Sequence, residues 1–390
     1  MRISSKLVGV GVLALVTGCS SVPQLSSLSK LNPFSSKKTT DQPAELVELK
    51  GSMAVRTAWK LDIGKAGPFT FSPALAGNTV VVASNAGDIA RVEAATGKLM
   101  WRIKAGTELS SGVGTDGNLI VVGGEKGKLL AFDMDGKKLW DAQLSSELLS
   151  SPVVSQGIVV ARSLDNRIVG LDAKTGQAKW TTQRTSPPLT LRTSPGMVAT
   201  GTDVIVAQPA GKLSALIVAT GAPRWDLEVG VSRGATELER VTDIGGNPVL
   251  FESDVCAVSY QGRVGCFEVA TGSQRWTRDL SSSVGVAVDQ LYVFAPSDKG
   301  ELFAYSRDTG ANAWKNDKLA FRRLSTPVSY GRAVAVGDYQ GYVHFLSRED
   351  GSFLARAATD GSQIIGTPVV AGSHLIFQTQ NGTVTAIAVE

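Results

Sequence analysis

The sequence predicts an all-β fold, an eight-bladed β-propeller made of four-stranded antiparallel blades. The first observation behind this prediction is a unit that recurs at a spacing near 40 residues. In this unit a Thr-Gly or Asp-Gly turn places its glycine four residues before a tryptophan. The pairs are Gly97–Trp101, Gly136–Trp140, Gly176–Trp180, Gly221–Trp225, Gly272–Trp276 and Gly310–Trp314. A seventh copy, Asp350-Gly351, has Ala355 at the tryptophan position.

The second observation is a turn position about ten residues before each of these glycines, between short alternating apolar runs, which is typical of a tight β-hairpin. Its residues are all Gly or Asn, which adopt positive φ readily. They are Gly87, Gly127, Asn166, Gly211, Gly262, Gly300 and Gly341, and an eighth, Gly382, has no turn glycine after it. The third observation is a proline that opens an upstream strand in several repeats. These prolines are Pro73, Pro152, Pro195, Pro327 and Pro368.

The two ends of the chain are predicted to close the ring together. The last hairpin, around Gly382, runs to Glu390 without a tryptophan strand of its own. The missing strand is present in Met53 to Leu61, which carries Trp59 in phase with the other tryptophans. Closure removes exposed sheet edges, which otherwise template aggregation. We interpret the tryptophans as packing between blades, with ligand stacking as the alternative.

The start of the chain predicts a lipoprotein signal peptide over residues 1–18. A positive start precedes an apolar run that is too short to span a bilayer. The run ends in Leu15-Val16-Thr17-Gly18-Cys19, which resembles the bacterial lipoprotein cleavage box and implies lipidation of Cys19. In the family of such signals, Asp after the cysteine favours the inner membrane, so by this resemblance Ser20 implies the outer membrane, with the protein on its periplasmic face. Ordinary secretion is the alternative.

Composition divides the rest of the chain and limits its partners. Residues 19–45 are rich in Ser and predict a flexible tether, and residues 46–390 predict the propeller. The net charge is +4 without a block of Lys or Arg, so nothing supports nucleic-acid binding. Cys256 and Cys266 flank a hairpin and are a possible disulfide, with two buried free thiols as the alternative.

No residue pattern predicts catalysis, a metal site or a cofactor. The two histidines, His344 and His374, fall in different repeats without ligand-spaced neighbours. The run Gly112-Val113-Gly114-Thr115-Asp116-Gly117 matches a dinucleotide-binding pattern, but it lies between predicted strands rather than before a helix.

Periodicity fails in two successive loops, and we expect function there. The spacing lengthens to 45 residues between Trp180 and Trp225 and to 51 between Trp225 and Trp276. The additional residues fall in Thr185 to Leu191 and Val231 to Asp243. Because loops that join successive blades share one face of a propeller, these two should lie side by side.

The content of the two loops favours protein binding. Three residues before the strand-opening proline, other repeats carry Leu149, Leu324 and Ile365, but here the residue is Arg192. It follows Leu189 and Leu191, and leucines beside an arginine are typical of an interaction surface. The second loop supplies Glu237, Glu239, Arg240 and Asp243. The alternative is that these residues only pack on the scaffold.

The repeat and the loops resemble two known families. Gly170-Leu171-Asp172-Ala173-Lys174-Thr175-Gly176, followed by Trp180, is similar to the repeat of pyrroloquinoline-quinone (PQQ) dehydrogenases, which are also eight-bladed. The lipoprotein box, the tether and the eight repeats together resemble the BamB family of the outer-membrane β-barrel assembly (BAM) machinery. Leu189-Thr190-Leu191-Arg192 matches that family's Leu-x-Leu-Arg segment, and Asp243 matches the first residue of its acidic loop. The family's second aspartate is replaced by Gly245 here.

The BamB resemblance implies a non-enzymatic scaffold without a cofactor. It would bind the periplasmic POTRA domains of BamA and aid insertion of outer-membrane proteins, whose unfolded chains are possible further partners. Leu189, Leu191, Arg192 and Asp243 would contact BamA, with Glu239 and Arg240 as possible additional contacts. Two alternatives stay open: a PQQ-dependent dehydrogenase, and a periplasmic propeller that binds peptides or glycans through a strand edge or the central channel.

Overall fold

The computed structural model describes residues 41–49, 51–192 and 195–390, and it contains eight four-stranded antiparallel sheets. This confirms the predicted eight-bladed propeller. The predicted signal peptide, Cys19 and nearly all of the predicted tether lie outside the described residues. Within the described ranges, no helix has the length and apolar character needed to cross a bilayer.

The first strand, β1 (Val55–Asp62), is the outermost strand of the last blade. Blade 1 contains β2 (Ala74–Ala76), β3 (Thr79–Ala83), β4 (Asp88–Glu93) and β5 (Leu99–Lys104). Blade 2 contains β6 (Leu109–Thr115), β7 (Leu119–Gly124), β8 (Lys128–Asp133) and β9 (Lys138–Gln143), with a short 3-10 turn, Glu125–Gly127, between β7 and β8. Blade 3 contains β10 (Val153–Ser155), β11 (Ile158–Arg162), β12 (Arg167–Asp172) and β13 (Ala178–Gln183). Blade 4 contains β14 (Met197–Ala199), β15 (Asp203–Gln208), β16 (Lys212–Ile217) and β17 (Pro223–Glu228).

The second half of the ring repeats this order from inner to outer strand. Blade 5 contains β18 (Ile244–Phe251), β19 (Asp254–Ser259), β20 (Arg263–Glu268) and β21 (Gln274–Asp279). Blade 6 contains β22 (Ala287–Val288), β23 (Tyr292–Pro296), β24 (Leu302–Ser306) and β25 (Asn312–Asn316). Blade 7 contains β26 (Val328–Tyr330), β27 (Ala333–Gly337), β28 (Tyr342–Ser347) and β29 (Phe353–Ala358). Blade 8 contains β30 (Val369–Ala371), β31 (His374–Gln378), β32 (Thr383–Val389) and β1.

Each tryptophan of the repeat binds the next blade. Trp140 of blade 2 donates its indole N–H to the carbonyl of Ala173 in blade 3, at 2.8 Å. Its ring also covers the turn glycine of blade 3, so a Cβ on Gly176 would lie 2.6 Å from the indole. The same bond recurs from Trp59 to Ala94, Trp101 to Met134, Trp180 to Val218, Trp225 to Val269, Trp276 to Arg307 and Trp314 to Arg348. The tryptophan of one blade and the turn glycine of the next therefore form the contact that joins adjacent blades.

The hairpin turns follow the prediction with one exception. Seven of the eight predicted positions have positive φ, including Asn166 at 62°. In the hairpin of blade 5 the positive φ belongs to Gln261, at 47°, rather than to Gly262. Glycine is needed there for space, because a Cβ on Gly262 would lie 2.1 Å from Ser259 Oγ.

The chain ends close the ring as predicted. β1 pairs antiparallel with β32, from Val55 opposite Val389 to Asp62 opposite Thr383. The boundary between blades 7 and 8 is the one where Ala355 replaces tryptophan, and the segment before β1 covers it. Met53 is buried in the same apolar cluster as Ala355, and Ser52 N–H donates to the carbonyl of Leu354 at 3.0 Å.

A buried cluster of polar side chains, formed by Arg322, Asp338 and His344, also holds the N-terminal segment, at Ala44. Arg322 donates to the Asp338 carboxylate at 2.8 Å and to the carbonyl of Ala44 at 2.9 Å. His344 Nε2–H donates to the same carboxylate at 2.9 Å. Burial lowers the pKa of His344, against the opposing effect of Asp338, so the imidazole is neutral at pH 7. This histidine has a structural role.

Candidate functional site: two neighbouring connections

The two irregular loops of the sequence are the two longest connections between blades. The first connection, residues 184–196, joins β13 to β14, and the second connection, residues 229–243, joins β17 to β18. Residues 193 and 194 lie outside the described part of the chain. Both connections run from an outer strand to the inner strand of the next blade, so they share one face of the ring, as expected.

The first connection exposes part of the predicted Leu-x-Leu-Arg segment. The Leu189 side chain is 45% exposed, and Leu191 is half-buried. Arg192 is exposed and forms an ion pair with Glu147 of the preceding connection, with Nη2 and Oε2 2.6 Å apart. Leu149, the residue equivalent to Arg192 in the preceding connection, is buried. The off-pattern arginine therefore places an exposed charge at a position where the preceding connection buries an apolar side chain.

Asp243 is buried, which changes the role expected of it. Its side chain is 3% exposed. One carboxylate oxygen accepts the N–H of Leu191 at 2.5 Å, and the other accepts the N–H of Ala210 at 2.9 Å. Its own carbonyl accepts the N–H of Tyr260 at 2.8 Å. Asp243 thus joins the first connection to two hairpins, and its carboxylate is directed into the protein, so it positions the Leu-x-Leu-Arg segment.

Arg162 supports the end of the first connection and was missed by the sequence reasoning. It is 9% exposed, and its guanidinium donates to the carbonyls of Ala207 and Pro195, the latter at 3.2 Å. Burial lowers the pKa of Arg162 to about 10, and the nearby Asp243 carboxylate opposes this shift. The sequence did contain a signal, which is an arginine four residues before the hairpin residue Asn166. The other repeats have Ala83, Gly123, Ala207, Val258, Pro296, Gly337 and Gln378 at that position.

A small cavity of about 80 Å³ lies under the first connection. Its lining includes Arg162, Asn166, Leu191 and Asp243. Pockets for drug-sized ligands have volumes of about 300–1,000 Å³, so this cavity is too small for such a molecule. A larger space of about 640 Å³ lies along the inner strands at the centre of the ring.

The second connection is a self-stabilised turn that projects into solvent. All residues from 231 to 240 are exposed. The Glu239 carboxylate accepts the N–H groups of Ala235 at 2.8 Å and Thr236 at 3.1 Å, and Thr236 Oγ1 accepts the N–H of Glu239 at 3.3 Å. These contacts form a capping box. The two backbone donors lower the pKa of Glu239 below its ordinary value.

Arg240 also bonds within the second connection. Its Nε donates to the carbonyl of Gly234 at 3.0 Å, and Nη1 lies 3.4 Å from Glu237 Oε1. Leu238, between these charged residues, is 69% exposed. Sequence reasoning singled out the charges and missed this leucine, because only the turn geometry shows which side chain projects outwards.

The structure joins Cys256 and Cys266 by a disulfide across β19 and β20, where the two residues are directly opposite. These strands continue into the hairpin whose Tyr260 binds Asp243. In the described residues, no group of three or more His, Cys, Asp or Glu is placed to hold a metal ion.

The fold defines the class of protein, which is an eight-bladed β-propeller whose adjacent blades are joined by tryptophans. Its two longest connections are bonded to each other on one face of the ring. A family described as outer membrane protein assembly factor BamB matches residues 54–108 and 85–316. A relative with that name from Burkholderia pseudomallei is 42% identical over 351 residues, which are 90% of this chain and 92% of that protein. This chain belongs to the BamB family.

Comparison of solved structures agrees at the level of the fold. The crystal structure of BamB from Moraxella catarrhalis has a TM-score of 0.79 and 28% sequence identity, and the match covers 86% of this chain and all of that one. A quinohemoprotein alcohol dehydrogenase from Comamonas testosteroni has a TM-score of 0.69 at 12% identity, covering 86% of this chain and 76% of that one. At such low identity the second likeness shows the fold alone.

Proposed function

We propose that this chain is a non-enzymatic scaffold of the outer-membrane β-barrel assembly machinery, and that its two joined connections bind the periplasmic POTRA domains of BamA. The observation that supports this most is the first connection, where Leu189 and Arg192 are exposed on a segment fixed from below by Asp243. A fixed backbone with exposed leucine and arginine has the composition of a binding hot spot. In this role the scaffold helps outer-membrane proteins to fold and insert.

Asp243 and Glu239 enter this proposal as positioning residues. Their carboxylates accept backbone N–H groups of the connections themselves. The charge offered to the partner comes from Arg192, whose ion pair with Glu147 leaves its side chain 63% exposed. An exposed arginine of this kind speeds association with an acidic surface, and reversing its charge would set like charges against each other there.

The proposed location is the outer membrane, facing the periplasm, with the chain held by lipid on Cys19. The support is the lipoprotein box and Ser20 in the sequence together with membership of the BamB family. A Cys19→Ala variant should appear in the soluble periplasmic fraction rather than in outer membranes. Retention of that variant in the membrane fraction would contradict lipid anchoring.

The experiment for the partner is titration of BamA POTRA domains into the full chain purified in detergent. Arg192→Glu reverses a charge at the proposed contact and should weaken binding about tenfold or more. Arg323→Glu is the matched control, since Arg323 is exposed in the connection between blades 6 and 7 on the same face. Equal affinity of both variants and the unmutated chain, with native circular dichroism, would count against the proposal.

A dehydrogenase would give a different result in a second assay. Addition of pyrroloquinoline quinone and calcium to the purified chain should produce neither saturable binding nor dye reduction. Saturable quinone binding with turnover of an alcohol would overturn the assignment as a non-enzymatic scaffold.

A further inference from the structure

Leu238 is the most exposed large hydrophobic residue in the part of the chain that the structure describes, at 69%. It lies in the second connection, which interrupts the regular repeat. Fully burying a leucine side chain contributes about 1.5–3 kcal/mol, and Leu238 contributes almost none of this to the fold. An apolar side chain that the fold leaves in water is available to a partner.

The turn that carries Leu238 is held in one conformation by its own groups. Glu239 and Thr236 exchange the hydrogen bonds of a capping box, and Arg240 donates to the carbonyl of Gly234. Glycine is required at position 234, where φ is 128° and a Cβ would lie 2.3 Å from Glu239 Cβ. Since the conformation is fixed before binding, little entropy is lost when a partner covers Leu238.

The charged side chains around this leucine form their bonds within the turn. Glu237 and Arg240 form an exposed ion pair at 3.4 Å, and Glu239 is engaged with backbone N–H groups. An apolar anchor within a polar rim is the usual arrangement of a binding hot spot. The charges of the turn balance, with Arg233 and Arg240 against Glu237 and Glu239, so anionic lipid would not attract it.

We propose that Leu238 is a second apolar anchor for the protein partner, and that it inserts into an apolar pocket on a folded domain of that partner. Glu239 and Arg240 hold Leu238 outwards and do not contact the partner through their charges. This inference rests on the proposed function, in which the partner domain is a POTRA domain bound jointly by both connections. The joint site follows from Asp243, which ends the second connection and binds the backbone of the first.

The first experiment compares two exposed leucines by titration with BamA POTRA domains. Leu238→Ala should weaken binding about tenfold or more, as expected for a hot-spot residue, without a change in melting temperature. Leu291→Ala is the matched control, because Leu291 is 59% exposed in the β22–β23 turn, on the opposite face of the ring. It should bind as the unmutated chain does.

The second experiment separates the anchor from the charges beside it. Glu239→Gln keeps an oxygen that accepts the N–H groups of Ala235 and Thr236, and it should retain nearly full affinity. Glu239→Ala removes the acceptor, loosens the turn and should approach the affinity of Leu238→Ala, and the two alanine substitutions together should add little. An equal loss in Glu239→Gln and Glu239→Ala would show a charge contact and overturn the inference.

The outcomes distinguish failure of this inference from failure of the proposed function on which it rests. If the unmutated chain does not bind POTRA domains, both fail. If it binds and Leu238→Ala binds equally well, the anchor alone is wrong. Loss of binding to phosphatidylglycerol vesicles by Leu238→Ala, with POTRA affinity unchanged, would show a lipid contact and would also overturn the inference.

Discussion

The first and second connections present side chains on the same face, but they are stabilised in different ways. The first connection is held by its neighbours, since Asp243 binds the N–H of Leu191 and Glu147 pairs with Arg192. The second connection is held by itself, through the capping box of Thr236 and Glu239. Conformation of the first therefore depends on the surrounding blades, whereas conformation of the second is encoded locally.

The difference shows how acidic residues in a binding loop can act without touching a partner. Asp243 and Glu239 both accept backbone N–H groups, one across connections and one within a turn. The side chains left for a partner are Leu189, Arg192 and Leu238. Substitution of a positioning residue should therefore alter the backbone of a connection, whereas substitution of an exposed residue should change only the affinity for the partner.

The largest expected effect follows from Asp243→Ala, which removes the acceptor for the N–H groups of Leu191 and Ala210. Each buried donor left without a partner costs about 1–3 kcal/mol, so loss of both acceptor contacts should lower the unfolding free energy by about 2–6 kcal/mol. Hydrogen exchange at Leu191 and Ala210 should accelerate, while exchange at Thr236 should not. Both effects can be followed by urea unfolding and amide exchange.

Asp243→Asn provides the control for this prediction. The asparagine keeps one acceptor oxygen, so its loss of unfolding free energy should lie between those of the unmutated chain and Asp243→Ala. POTRA affinity should fall in the same order. Unchanged exchange at Leu191 in Asp243→Ala would contradict the dependence of the first connection on its neighbours.

A smaller effect is expected from loss of the disulfide in blade 5. Cys256 and Cys266 are separated by 10 residues in sequence, and closing a loop of this size restricts the unfolded chain by about 2–3 kcal/mol. The Cys256→Ala/Cys266→Ala variant should unfold at lower urea. Exchange at Ala235 and Thr236 should not change, because their acceptor lies within the second connection. Faster exchange there would show that the turn depends on blade 5.

The smallest effect is expected from Glu147→Gln, which removes the charge opposite Arg192. The pair has one well-exposed side chain, and such pairs contribute about 0–1 kcal/mol. The melting temperature should therefore change little. Association with POTRA domains, measured by surface plasmon resonance at low salt, should be equal or faster because Arg192 is released. A large loss of unfolding free energy would show that this pair, rather than Asp243, holds the first connection.

Much of this architecture was predictable because the determinants are local and periodic. The spacing of Gly176 and Trp180 repeats around the ring, and Trp59 is in phase although its strand precedes the first blade. The position of the irregular loops also followed from spacing. The same reasoning assigned the positive φ of one hairpin to Gly262 rather than to Gln261, since a residue pattern does not reveal which neighbour approaches the backbone.

The sequence by itself determined the number of blades, the closure by the N-terminal strand and the place where the repeat is interrupted. The tertiary structure alone decided what the residues at that place do. It directed Asp243 inwards, brought Arg162 beneath the first connection and left Leu238 in water. The physical reason is that periodic residues specify contacts within one strand or turn, whereas these side chains are fixed by backbone groups from other blades or by a turn whose geometry no spacing encodes.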